Sequence, residues 1–383
     1  MDESGIYLNN AATSWPKPRE VIDAVADSLT HPLSEFARST DGLTRDVISD
    51  ARSAAAGFFH VPDPDHIVFT ANATDSLNIL IAGFAQQEQT PCHVIITELD
   101  HNSVIRPIRA MEASGKCRVT VIPCMEGRVN PAEVSDAICP DTRLMVMTHG
   151  SNVLGSVQDL PAIGRILHER EVFFLVDGAQ TAGLVPVQPE RLPLDAFVFT
   201  GHKYLFGLPG TGGFWIRDPD RIATTRHGGT GTNSRSSVHP QELPEKFEAG
   251  THNYPGIISL RAGIEFIERQ SQEEVLKGSM DRTGIFLRTF RDIEDLVLYN
   301  QSPDLPLIPF NFRNIGNDDA GFILRKMYGI IARTGLHCAP LVHERFTGGA
   351  GCVRLSPSYL TSREDCVLAA ESIREVAERA HRS

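Results

Sequence analysis

Five short apolar runs recur between residues 66 and 200, and none of them alternates. They read HIVFT at 66–70, HVIIT at 93–97, LMVMT at 144–148, VFFLV at 172–176 and AFVFT at 196–200. A strand with one wet face alternates apolar and polar side chains, whereas a strand covered on both faces does not. The runs are β-branched or aromatic and too short for helices. Between them lie stretches of helical period, at 76–86 and 160–169. Strand and helix in alternation predict an α/β domain whose parallel sheet is closed by helical crossovers.

Beyond about residue 255 the pattern changes. A long helix is predicted from near Ile257 past Glu265. An apolar run at 307–312, a helical stretch at 320–328, short runs at 330–333 and 352–355, and a closing helix from Ser362 follow. This reads as a smaller α+β lobe. The expected division is a large domain at 15–255 and a small one built from 1–14 and 256–383. The small, polar, Gly-rich stretch GGTGTNSRSS at 228–237 predicts a mobile loop.

Charge and cysteine usage narrow the function classes. Lys and Arg number 36 against 48 Asp and Glu, a net charge of −12. A general nucleic-acid binder needs basic charge to displace counterions, so none is expected. No apolar run reaches the roughly 18 residues of a membrane span. Met1-Asp2-Glu3-Ser4-Gly5 lacks the basic start of a secretory signal. The seven cysteines are scattered without a C-x-x-C pair. That spacing argues against a metal ribbon and for free thiols in a reducing cytoplasm.

In an open parallel sheet, ligands bind beyond the carboxyl ends of the strands. There the sequence places Asn72-Ala73-Thr74, Asp100-His101-Asn102-Ser103, His149-Gly150-Ser151-Asn152, Asp177-Gly178-Ala179-Gln180 and Thr200-Gly201-His202-Lys203. Singly, each has an ordinary reading. Asp-Gly favours a turn, Thr74 and Ser76 suit a helix cap, and a lysine is usually a solvated charge. Jointly they describe a ligand. A helix N-terminus with hydroxyls suits a phosphate. A strand-end aspartate suits a cationic ring nitrogen, and a lysine among apolar groups becomes a nucleophilic amine. Pyridoxal phosphate asks for all of these together.

Asp177-Gly178-Ala179-Gln180, with Lys203 26 residues after Asp177, resembles the class V aminotransferase family of pyridoxal-phosphate enzymes. Within it the chain is similar to the cysteine desulfurases of group II, the SufS/CsdA-like branch. The likeness runs from Tyr7-Leu8-Asn9-Asn10-Ala11-Ala12-Thr13 through Phe247-Glu248-Ala249-Gly250-Thr251. It ends with Arg333-Thr334-Gly335-Leu336-His337-Cys338-Ala339-Pro340 and Val353-Arg354-Leu355-Ser356. It implies a fold type I transferase, with a large domain of mixed, mostly parallel sheet and a smaller α+β C-terminal domain.

By that resemblance Lys203 is the Schiff-base lysine, Asp177 pairs with the ring nitrogen and Gln180 meets the phenolic oxygen. His101 stacks on the ring and moves protons. Ala73, Thr74, Thr200 and His202 cradle the phosphate. Gly250 and Thr251 reach the phosphate of a partner subunit, which implies a homodimer. Asn152 and Arg354 meet the substrate carboxylate, and Asn152 also borders the cofactor. Cys338 takes sulfur from L-cysteine as a persulfide and passes it to a protein or small-molecule acceptor. A cytoplasmic role in sulfur transfer and iron–sulfur cluster assembly is implied as well.

Two departures qualify the likeness. Leu336-His337-Cys338 carries one imidazole before the thiol where the branch commonly has two, and Leu99-Asp100 stands where it has a glutamate–histidine pair. A free thiol has a pKa near about 8.5 and needs a positive neighbour or a proton acceptor. His337 and Arg333 are both candidates, and the sequence does not choose between them. The rival readings are a selenocysteine lyase, or another class V lyase or epimerase, which would not need Cys338. A nicotinamide dehydrogenase is rejected, because no G-x-G-x-x-G opens a helix after a strand. A non-catalytic scaffold is disfavoured by the intact Lys203, Asp177 and His101 set.

Overall fold

The computed structural model describes residues 5–30, 46–231 and 235–382. Residues 1–4, within the stretch read above for a secretory signal, and 232–234, within the expected loop, lie outside them.

All five apolar runs become strands of one seven-stranded sheet. Its order is Ile67–Thr70, Gly212–Ile216, Ala196–Thr200, Phe173–Asp177, Thr142–Thr148, Cys92–Thr97 and Cys117–Ile122. Gly212–Ile216 runs antiparallel to both of its neighbours, and the other pairs are parallel. The unbroken apolar runs have the expected cause. Successive residues of a strand enter opposite cores: Phe174, Val176, Phe197 and Phe199 join one cluster, Phe173, Leu175, Ala196 and Val198 the other. At roughly 1.5–3 kcal/mol for each large apolar side chain buried, both faces contribute heavily to stability.

Two strands escape a reading by apolar runs. Cys117–Ile122 is an edge strand with a half-exposed middle, so polar residues break its pattern. Gly212–Ile216 opens on two glycines for a packing reason. A Cβ on Gly213 would come within 2.5 Å of Val68 O and Phe199 Cζ, and one on Gly212 within 2.8 Å of Asn72 Cα.

The helix Ala73–Gln87 starts three residues before the expected stretch, because Asn72 caps it by accepting from Asp75 N. The long helix Tyr254–Gln270 is capped by Asn253 and packs on the helices Arg19–Ser28 and Val47–Phe58. Gln272–Phe290 follows it directly. The C-terminal part forms a four-stranded sheet in the order Leu296–Leu298, Ile308–Phe312, Cys352–Leu355 and Arg333–Gly335. Helices Gln272–Phe290, Asn317–Tyr328 and Arg363–Arg382 contact one another or this sheet.

The start of the chain reaches the C-terminal part. Ile6–Tyr7 pairs in parallel with Ile330–Ile331. Ser356 N donates to Leu8 O at 2.7 Å and Asn10 Nδ2 to Ser356 O at 2.8 Å. These bonds set Ala11 and Ala12 beside the ends of the large sheet.

Candidate active site

Past the carboxyl ends of the parallel strands lies a cavity of about 530 Å³. Its wall includes Ala73, Thr74, His101, Asn152, Asp177, Gln180, Thr200, His202, Lys203, Cys338 and Arg354. Gly250 and Thr251 are not among them. They line two other cavities, one bordered by Arg52 and Glu248 and one by Asp75 and Arg226.

Strand register accounts for the gathering. Asp177 ends its strand opposite Thr148 and Val198. Its Oδ1 accepts from Ala179 N at 2.9 Å, and burial pushes its carboxyl above the usual range. Lys203 follows the next strand end in a turn closed by Gly207 N to Gly201 O at 2.8 Å and Phe206 N to Lys203 O at 3.0 Å. Desolvation is the main cause that brings the Lys203 amine down to about 8, and Asp177 partly opposes it. Such an amine is deprotonated far more often than a surface lysine at neutral pH.

The first helical N–H groups of Ala73–Gln87 have no acceptor within the helix. Nearby, Thr200 Oγ1 and His202 Nδ1 are buried without a hydrogen-bond partner. Burial, followed by the charges of Lys203 and Lys17, lowers His202 to about 4. Unpaired buried polar atoms are costly, and these two, beside the free N–H groups of the helix start, fit an anion with many acceptor oxygens. Gln180 Oε1 is unpartnered too, while its Nε2 donates to Ala11 O at 3.1 Å. The second Nε2 hydrogen is left for donation to a phenolic oxygen. Together these residues fit pyridoxal phosphate.

His101 caps the helix Asn102–Ala113 and accepts from Ser103 N at 3.1 Å through Nδ1. Burial first, then Lys203, Arg333, Arg106 and Arg354, lower the imidazole to about 4. The ring is thus neutral at pH 7, and acceptance at Nδ1 leaves the proton on Nε2.

The thiol loop joins the strand Arg333–Gly335 to the helix Pro340–Phe346. His337 and Cys338 both hold positive φ, at 48° and 57°. Two bonds to successive carbonyls hold this strained backbone. Asn152 Nδ2 donates to His337 O and Asn102 N to Cys338 O, each at 2.7 Å. Cys338 is exposed at the cavity, whereas His337 is buried with Nε2 against Cys352 O at 3.1 Å. Both candidates for activating the thiol, His337 and Arg333, line the same cavity as Cys338, and the His337 ring also meets Cys352 Sγ through Nε2 at 3.5 Å.

Asn152 and Arg354 are joined: Arg354 Nη1 donates to Asn152 O at 2.6 Å. Arg354 is buried, and its Nε has no partner. Burial, the largest cause, lowers its guanidinium to about 10, and Arg333 adds to this. A buried cation with an open donor suits a substrate carboxylate.

Sequence reading gave no role to three supports. Asp100 accepts from Thr97 N at 2.6 Å and Thr148 N at 2.7 Å, tying two strand ends together, and burial lifts it to about 7. Ser103 orients His101. Lys17 donates to Ser14 Oγ at 2.8 Å, His202 O at 3.3 Å and Gly207 O at 2.5 Å, bracing the turn that carries Lys203. The carboxylate directly before His101 was the visible signal for Asp100; Lys17, between two prolines, carried none.

Residues 6–367 match the model of the aminotransferase class-V family. The chain belongs to that family. It is 31% identical over 384 residues to a probable cysteine desulfurase of Methanothermobacter thermautotrophicus, covering 97% of this chain and 94% of the relative. It is 30% identical over 368 residues to a cysteine desulfurase of Klebsiella pneumoniae, covering 94% and 90%. Among solved structures, the cysteine desulfurase CsdA of Escherichia coli superposes with a TM-score of 0.88 at 24% identity, over 100% of this chain and 96% of that one. The apo cysteine desulfurase of Thermococcus onnurineus gives 0.87 at 25% identity, over 98% and 95%. The architecture of this class V family chain is that of the fold type I transferases, with a mixed, mostly parallel large sheet.

Proposed function

We propose that the chain is a pyridoxal-phosphate-dependent cysteine desulfurase that takes the sulfur of L-cysteine onto Cys338 and releases L-alanine. The observation that carries this reading is an exposed thiol latched into the wall of the cavity that also holds Lys203 and Asp177. The names of the relatives support it.

Ala73, Thr74, Thr200 and His202 would hold the phosphate, Asp177 the ring nitrogen, Gln180 the phenolic oxygen and His101 the ring face. Lys203 is the point of covalent attachment. When bound, the cofactor supplies an electron sink next to the substrate α-carbon. The buried Asp177 carboxylate is stabilised as an anion by a cation facing it, which offsets its desolvation. Arg354 and Asn152 orient the substrate carboxylate. Lys203, with its lowered pKa, accepts and returns protons near neutral pH. His101 holds a proton on Nε2 at the same face. The Cys338 thiolate attacks the substrate sulfur and the carbon–sulfur bond breaks. The bonding pair stays with carbon, which takes up a proton to give alanine. The persulfide left on Cys338 goes to a protein or small-molecule acceptor. The test is purified protein with cysteine and a reductant, with sulfide and alanine both quantified. Equal amounts of the two are expected; sulfide accompanied by pyruvate instead of alanine would replace this reading with a lyase.

The proposal includes a homodimer whose cofactor sites lie at its interface. It is supported by Gly250 and Thr251, which sit on a surface hollow away from their own chain's cavity. Light scattering at micromolar concentration is expected to give twice the chain mass, and a fully active monomer would overturn the dimer. Residues 15–255 as the large domain, with 1–14 and 256–383 as the small one, also belong to the proposal. The pairing of Ile6–Tyr7 with Ile330–Ile331 supports the placing of 1–14, whereas Ile257, Leu260, Ile264 and Ile267 pack in the large core and count against placing the helix Tyr254–Gln270 in the small domain. The family likeness extends the proposal to sulfur supply for iron–sulfur cluster assembly in the cytoplasm. Among the described residues, no helix is long and apolar enough to cross a membrane.

A further inference from the structure

Behind the thiol loop, three potential ligands converge from three elements. His337 comes from the loop, His343 from the helix Pro340–Phe346 and Cys352 from the first position of the strand Cys352–Leu355. One donor atom from each lies within 4.8 Å of the others, and all three residues are buried. We propose that His337, His343 and Cys352 form a binding site for a single d10 cation, Cu+ or Zn2+.

Geometry and hydrogen bonding point the same way. An ion with bonds of about 2.0–2.3 Å holds its donors roughly 3.3–4 Å apart. His337 Nε2 stands 3.5 Å from Cys352 Sγ, hydrogen-bonded there and to Cys352 O, so an ion bound through it displaces those bonds, and the two imidazole centroids are 5.5 Å apart. Closing the set asks for about 1 Å of movement at the remaining separations. In each imidazole one nitrogen is bonded and the other is not. His337 Nε2 meets Cys352 O at 3.1 Å and His343 Nδ1 meets Thr347 Oγ1 at 3.3 Å. His337 Nδ1 and His343 Nε2 are buried with no partner. His337 is 4% exposed and His343 0%, so water does not satisfy them from outside. His343, with Nδ1 anchored to an oxygen and Nε2 open, has the arrangement of a metal-ligating imidazole, and His337 reaches an ion by exchanging its Nε2 bond to Cys352 O for the metal or by turning its open Nδ1 inward.

The donor set selects the ion. One thiolate and two neutral imidazoles form a soft site, which favours Cu+ or Zn2+ over Mg2+ or Ca2+. Binding exchanges the Cys352 S–H bond for a sulfur–metal bond and releases one proton to solvent. The product carries no net charge with Cu+ and one positive charge with Zn2+. Arg354 stands in the same region and acts on both imidazoles, so its charge favours the monovalent ion. His337 also lines the active-site cavity, which makes the thiol loop the route of entry. An ion there would tie that loop to the strand and helix behind it. This inference does not rest on the desulfurase reading.

The test uses the cofactor-loaded protein and a Cys338→Ala variant, which removes the exposed thiol as a competing ligand. Each is exposed anaerobically to Cu+ or, separately, to Zn2+, in competition with a chromophoric chelator, and bound metal is counted after gel filtration. One ion per chain is expected in both proteins, tighter in the Cu+ arm, with a higher unfolding temperature. Adding Cys352→Ala or His343→Gln to Cys338→Ala should weaken binding roughly tenfold or more while leaving cofactor content unchanged. Cys352→Ala removes one sulfur atom and serves as the decisive variant if His343→Gln does not fold. No bound ion in either arm, binding that disappears with Cys338→Ala, or equal affinity after loss of Cys352 would each overturn the site.

Discussion

Lys203→Ala is expected to abolish turnover of cysteine, by at least roughly 10³- to 10⁴-fold, because one group supplies both the covalent anchor and the proton carrier. The amine stands near the strand-end carboxylate of Asp177, and desolvation already lowers it to about 8. No other lysine lines the cavity among the described residues. The variant should emerge from purification without the yellow, borohydride-reducible species of the wild type. If that species persisted, the assignment of Lys203 would fall. Asp177→Ala is the companion experiment. It should retain part of its cofactor through the phosphate-binding residues and lose turnover by roughly 10²- to 10³-fold, because a fixed buried charge has gone. Near-normal activity of Asp177→Ala at saturating cofactor would contradict its role.

Cys338→Ala separates the thiol from the rest of the site. The loop is held by its backbone carbonyls, through Asn152 Nδ2 and Asn102 N, so removing the sulfur should leave the cavity in place. Cofactor content and the spectral response to cysteine should match the wild type, while alanine production from cysteine stops. Selenocysteine can survive as a substrate, since its weaker carbon–selenium bond asks less of a nucleophile. Cys352→Ala is the control in this assay. Its thiol is buried, and burial pushes it up to about 12, so it is a poor thiolate at neutral pH. Its turnover should stay within about twofold of wild type, at a stability cost of roughly 1 kcal/mol for a small deletion in a core. Activity in Cys338→Ala with none in Cys352→Ala would mean that the other sulfur is the nucleophile. Alanine from both variants would point to a class V lyase that needs no thiol.

Much of the large domain was legible because its determinants are local. Five unbroken apolar runs specify strands buried on both faces, and a strand end in a parallel sheet is where a ligand sits. Asp177 and Lys203 each follow directly on such an end, so their chemistry is readable from their position in the chain. The strand Gly212–Ile216 was not readable in this way. Its two glycines look like a loop until Val68 and Phe199 are seen leaving no room for a Cβ. The edge strand Cys117–Ile122 was hidden for the opposite reason, since Arg118 is exposed and the three residues after it are only half-buried.

By itself, then, the sequence determined the α/β class and the cluster of polar strand ends that gathers around one cavity. Tertiary structure alone decided which of these groups are in contact. It bonds Asn152 to the thiol loop, hangs Arg354 on Asn152 and sets His337 against Cys352. It also ties two strand ends to Asp100 and leaves Gly250 and Thr251 outside their own cavity. The physical reason is range. Strand burial is set by residues one and two positions apart, whereas each of these contacts joins separate elements. Their geometry follows from how the two cores pack, and no local pattern encodes it.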